Sequence, residues 1–193
     1  MNLPNKISIT RICLIPVFVV AFYLTVIPYN FIIAAVIFTV AAFTDFLDGY
    51  IARKYNMVSD FGKFLDPIAD KVLVSTALIL VLVPPTGVVM LPWYASIMVA
   101  VILARELIIS GFRLVAAGKN VVIAADWSGK IKTFVTDVAI CAILIFAQIS
   151  PTAFTVWNIV GTALLGLSTL LTIISGVECI VKNRAVLKEG KPE

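Results

Sequence analysis

Histidine is absent from this 193-residue chain, which excludes imidazole zinc sites, serine–histidine triads and histidine nucleophiles. Cysteine is scarce as well. Cys13, Cys141 and Cys179 stand far apart, each in an apolar stretch and at no metal-ligand spacing, so they read as small packing residues in helices. Charge is the third shortage: 13% of residues are Asp, Glu, Lys or Arg, against 61% hydrophobic. A soluble domain has about a quarter of its residues charged, and a chain with this little charge cannot clothe a water-facing surface. Its main solvent is lipid. The net charge of +4 therefore bears on membrane topology, and no nucleic-acid partner is expected.

Long apolar runs are what the chain has instead. A spanning helix needs about 20 mostly apolar residues, and six segments qualify: 7–27, 31–53, 64–83, 92–115, 130–149 and 153–181. Pro67 predicts that the third helix begins close to Phe64 or kinks there. The basic-then-apolar start is signal-like, but no small-residue cleavage site follows it, and it reads as a retained first helix. All 15 Lys and Arg fall at the N-terminus, between the second and third segments, around the fourth-to-fifth connection, or in the tail. The opposite turns, Pro28–Asn30, Pro84–Tyr94 and Ser150–Ala153, have none. Positive loops face the cytoplasm. The expected fold is all-α, a single domain over 1–193, an integral membrane bundle of six transmembrane helices with both termini cytoplasmic. Trp93, Trp127 and Trp157 fall near helix ends, as interfacial anchors do.

Four aspartates gather near the cytoplasmic ends of the second and third segments: Asp45, Asp48, Asp66 and Asp70. Ionisable groups in membrane segments are costly and point to function. Asp45 and Asp48 share a helix face, continued by Gly49 and Ala52, and Gly62, Asp66 and Asp70 share another if Gly62 is helical. A short connection makes the two helices antiparallel, so the stripes can meet. One aspartate at a helix end is usually a cap or a solvated group; four on two matched stripes are not. Their mutual repulsion calls for protonation or for cations. Oxygen-only ligands select Mg²⁺, Mn²⁺ or Ca²⁺, and two such ions would balance four carboxylates in the clamp used for phosphoryl displacement. The small residues would let a phosphate approach the backbone. Ion or proton translocation is the other reading of the acids at this point. It predicts charges near the bilayer midplane and repeated halves, and this sequence has neither.

The run Asp45-x2-Asp48-Gly49-x2-Ala52-Arg53-x8-Gly62-x3-Asp66-x3-Asp70 resembles the signature of the CDP-alcohol phosphotransferase family at every fixed position. Leu3-Pro4-Asn5 with Thr10-Arg11, Ala104-Arg105-Glu106, and the stretch from Trp127 to Thr133 are similar to the bacterial phosphatidylglycerophosphate synthases of that family.

The resemblance implies transfer of a phosphatidyl group from CDP-diacylglycerol to sn-glycerol 3-phosphate, with release of CMP. It implies that Asp45, Asp48, Asp66 and Asp70 hold two Mg²⁺ or Mn²⁺ ions, with Asp70 also the base for the acceptor hydroxyl. Gly49, Ala52, Arg53, Ser59 and Gly62 would line the cytidine diphosphate site, closed from the side by Asn5 and Thr10. Arg53 read blandly is a cation at a helix C-terminus, and Ser59 a helix cap. The acceptor is a dianion and needs cations. Arg105 and Arg113 on the fourth helix, and Lys130 and Lys132 opening the fifth, are the expected suppliers, although the two lysines also suit headgroup anchoring. Inositol phosphate, or phosphatidylglycerol as in cardiolipin synthesis, are the alternative acceptors within the family. Asp137 and Glu178 read as partners of basic residues across the bundle or as part of the acceptor pocket, and Asp60 and Asp126 as loop or capping residues. The family further implies a homodimer in the cell membrane, acting on its cytoplasmic side among membrane lipids.

Overall fold

A computed structural model describes residues 3–54, 60–85, 87–119, 121, 123, 127–149 and 156–184, with side chains for all of these except 3–8, 45–54 and 60–67. Among the described residues there are six helices and no strand: α1 (Leu3–Tyr23), α2 (Asn30–Lys54), α3 (Asp60–Leu82), α4 (Ala95–Gly118), α5 (Trp127–Ile149) and α6 (Val156–Lys182). Each expected apolar segment is one of these helices, its ends shifted by a few residues. Helix α1 is shifted by four residues at both ends, and α3 starts at Asp60 and not close to Phe64, so that Pro67 lies inside it. Pro67 deprives the Lys63 carbonyl of its helical donor, a loss met most easily near a helix end, where water can replace the bond. The earlier start makes Gly62 helical, as the acidic stripe requires.

Helices α4, α5 and α6 are long and apolar enough to cross a membrane, and α1 and α2 contain the shorter apolar stretches Ile9–Tyr23 and Asn30–Thr44. Their outward faces carry Val20, Val36, Leu107, Leu114, Phe134 and Leu170 in exposed positions. Apolar surface on this scale needs a nonaqueous solvent. Trp93 precedes α4, and Trp127 and Trp157 open α5 and α6; all three are exposed, which suits the headgroup level.

The inward faces explain the order of packing. Helix α1 lies on α2 and α3, α2 on α5, α5 on α6, and α6 on α4, while α3 also touches α2, α4 and α5. The α1–α2 hairpin is joined by rings: Phe18 lies 5.9 Å from Phe38 and Phe22 lies 5.5 Å from Phe31, centroid to centroid. Tyr29, at φ 63°, turns the chain just before α2, and the Asn30 side-chain amide donates to the Phe22 carbonyl at 2.9 Å. That bond satisfies one of the carbonyls left open where α1 ends. In lipid every polar group must be satisfied from within. Accordingly the hydroxyls of Thr39, Thr136, Thr162 and Thr169 each donate to the carbonyl four residues back, at 2.7–2.8 Å. Thr136 also meets Ser168 across α5–α6 at 2.6 Å, and Thr39 meets Cys141 across α2–α5 at 3.3 Å. Cys141 is thus a packing residue. Arg11 is wholly buried on α1 and is partnered there.

Candidate active site

Helix α2 carries Asp45 and Asp48 within its last three turns, and α3 carries Asp66 and Asp70 within its first three. The two helices are packed against one another. The side chains of Asp45, Asp48 and Asp66 lie outside the described residues. Asp70 is half-buried and partnered, and it faces a cleft where α3, α4 and α5 meet.

That cleft is lined by Asp70, Lys71 and Ser75 of α3, Glu106 of α4, and Lys132, Thr133 and Thr136 of α5, over an apolar floor of Val74, Leu78, Ile102 and Leu103. About 370 Å³ of empty space lies within it, open solvent at its mouth included. Its positive charge is deliberately placed. Lys132 is buried, and its ammonium donates to Glu106 Oε1. Lys71 donates to Ser110 Oγ, and Ser110 in turn donates to the Glu106 carbonyl. A buried ammonium is stable only with such partners.

Arg105 is turned the other way. Its Nη1 donates to Glu106 Oε1 at 3.0 Å and its Nη2 to Ser175 Oγ of α6 at 2.9 Å. The side chain passes over Gly176, where an added Cβ would lie 3.0 Å from Arg105 Cγ and 3.1 Å from Nε. Gly176→Val should therefore force the arginine aside. Overpacking of about 1–3 kcal/mol should lower the melting temperature of the detergent-solubilised protein by about 2–10 °C, and Gly176→Ala by less. Unchanged melting in both variants, followed by scanning fluorimetry, would mean that the notch has spare room.

The remaining expected cations lie outside the cleft. Arg113 is exposed on α4. Lys130 is exposed and stands over the Trp127 ring, 5.0 Å from its centroid, a cation–π contact suited to an interfacial residue.

The profile of the CDP-alcohol phosphatidyltransferase family matches residues 1–174. The chain belongs to this family. It is 39% identical over 198 residues to the CDP-diacylglycerol–glycerol-3-phosphate 3-phosphatidyltransferase of Bacillus subtilis, with 97% of each chain covered. The enzymes of the same name from Escherichia coli K12 and Rickettsia bellii are 38% and 39% identical, covering 96% and 91% of this chain and 97% and 91% of their own.

For a CDP-alcohol phosphatidyltransferase, the signature residues occupy the facing ends of α2 and α3. Gly49, Ala52 and Arg53 are in α2 and Gly62 is in α3, with side-chain surroundings outside the described set; Ser59 lies outside it altogether. Asn5 and Thr10 are on α1, Thr10 exposed. Of the four expected acceptor cations, Lys132 alone shares the cleft with Asp70. Lys71 joins it there, a residue that sequence reasoning counted only toward topology. Its position directly after the last signature aspartate, inside a helix, was the available signal. Glu178 pairs with Lys182 one turn along its own helix, at 2.6 Å. Asp137 is half-buried on α5 and partnered.

Proposed function

We propose that the chain transfers the phosphatidyl group of CDP-diacylglycerol to sn-glycerol 3-phosphate, giving phosphatidylglycerophosphate and CMP. The observation that carries this reading is the pairing, in one cleft at the junction of three helices, of the last signature aspartate with one buried lysine, Lys132, and one half-buried lysine, Lys71. Similarity to glycerol-3-phosphate 3-phosphatidyltransferases over nearly the whole chain supports it independently.

The reaction needs little covalent chemistry from the protein. A hydroxyl oxygen of the acceptor attacks the phosphorus that bears the diacylglycerol, the bond from that phosphorus to the bridging oxygen breaks, and CMP leaves with the electron pair. Asp70 takes the proton from the attacking hydroxyl. Lys132 and Lys71 hold the acceptor phosphate, each ammonium having three donors to share between its protein partner and phosphate oxygens. Gly49, Ala52, Arg53, Ser59 and Gly62, with Asn5 and Thr10 from α1, form the cytidine diphosphate site.

The donor set suits divalent cations. Asp45, Asp48, Asp66 and Asp70 are oxygen ligands on two adjoining helices, and Asp70 faces the cleft and not lipid. These four residues would hold two Mg²⁺ or Mn²⁺ ions, which when bound supply charge neutralisation on the pyrophosphate. The charge asymmetry of the loops supports six spans, with both termini and the site on the cytoplasmic side of the cell membrane. In that setting the donor keeps its acyl chains in lipid while the acceptor enters from water. A single domain over 1–193 and a homodimer complete the proposal.

The test is an assay of the purified full-length chain with CDP-diacylglycerol and three separate acceptors: glycerol 3-phosphate, inositol phosphate and phosphatidylglycerol. Mass spectrometry should find phosphatidylglycerophosphate and an equal amount of CMP with the first acceptor only. A lipid product formed from either of the others in its place would reassign the acceptor.

A further inference from the structure

Glu106 stands outside the family signature, yet it is the one acidic group on α4 and lies at the centre of the cleft's charge. Its Oε1 accepts from Arg105 and from Lys132, so one oxygen joins α4 to α5 and, through Arg105 and Ser175, to α6. Its backbone carbonyl accepts from Ser110, whose hydroxyl receives Lys71 of α3. A single turn of α4 thus receives cationic side chains from two other helices, Lys71 of α3 and Lys132 of α5, beside its own Arg105. The Lys132 side chain is only 7% exposed, and a long flexible ammonium held this deeply is oriented by whatever carboxylate it meets.

We propose that Glu106 is a positioning residue for acceptor recognition. It acts through Lys132, fixing the ammonium so that its remaining donors point to the phosphate end of the cleft, while Arg105 braces the carboxylate from the α6 side. The inference rests on the acceptor reading above and adds a residue to it. Charge accounting supports the role. Lys71, Arg105 and Lys132 outnumber the two carboxylates around the cleft, Glu106 and Asp70, which leaves one positive charge toward an incoming phosphate monoester. The competing role for Glu106 is a simple strut between helices, and the two differ in what they do to each substrate.

The experiment uses the full-length enzyme in detergent. For Glu106→Gln we expect KM for glycerol 3-phosphate to rise about 10- to 100-fold, the scale of one charged hydrogen bond, with KM for CDP-diacylglycerol changed less than about twofold. Glu106→Asp keeps the charge with a shorter reach and should recover part of the loss. Adding Lys132→Met to Glu106→Gln should cost little more than either alone, since the two side chains act as one unit. Equal rises in both KM values, a fall in kcat alone, or full additivity with Lys132→Met would overturn the proposal. Should Glu106→Gln fail to fold, Glu106→Asp must show the same acceptor-selective rise on a smaller scale, and a uniform change there would overturn it equally.

A second readout does not depend on turnover. Glycerol 3-phosphate and inorganic phosphate should raise the melting temperature of the wild-type protein, and this protection should be lost in Glu106→Gln. Protection that survives the substitution would remove Glu106 from phosphate binding. If the wild type forms no lipid from glycerol 3-phosphate, the proposed reaction fails, while the phosphate protection still decides the role of Glu106.

Discussion

Asp70→Asn should lower kcat by about 10²- to 10⁴-fold, the usual contribution of a positioned general base, with KM for glycerol 3-phosphate little changed. The amide has nearly the shape of the carboxylate but cannot take a proton, so the loss should fall on the chemical step and not on acceptor binding. Asp70 is half-buried, lines the cleft and sits one residue before Lys71, which puts the proposed proton acceptor and the proposed phosphate-binding cation on the same helix turn. Steady-state rates against both substrates, with melting temperature as the folding control, make the measurement. A variant with normal kcat would release Asp70 from the role of base.

Removal of divalent cations should abolish activity completely, and Mg²⁺ or Mn²⁺ should restore it. The reasoning is electrostatic. Four carboxylates on two adjoining helices repel one another unless cations lie between them, and the pyrophosphate that must enter the same region adds further negative charge. Chelation should also lower the melting temperature, because an ion that binds only the folded form stabilises it by mass action. Synthesis that continues at an undiminished rate after exhaustive chelation and dialysis would reject the two-ion site. Persistent activity in Asp45→Asn or Asp66→Asn at ordinary Mg²⁺ levels would weigh against the individual ligands.

Much of the architecture is legible in the sequence because lipid imposes a simple rule: a spanning element must be apolar along its length. The six apolar runs accordingly match α1–α6 to within a few residues. The matched spacing of Asp45 with Asp48, and of Gly62, Asp66 and Asp70, is equally open to inspection, since helical periodicity alone decides which residues share a face. Side-chain direction across the bundle is less accessible. Arg105 is one of four cations that the sequence offers to a phosphate, and the structure lays it over Gly176 and against Ser175, seventy residues along the chain. No local pattern around Arg105 specifies that notch. Lys71 is hard to read for the opposite reason: a cation in a basic connection already satisfies the topology. The start of α3 is obscured because Pro67 suggests a boundary, whereas a proline close to a helix end is tolerated inside the helix.

The floor of the cleft has a consequence for fidelity. Water is the most abundant rival of any alcohol for an activated pyrophosphate, and its attack would waste the nucleotide-linked lipid as phosphatidic acid. Val74, Leu78, Ile102 and Leu103 line the cleft beside its polar residues, and these apolar walls give a stray water none of the two to four polar partners that hold one in place. An acceptor held there as proposed would be flanked by hydrocarbon, which would favour transfer over hydrolysis.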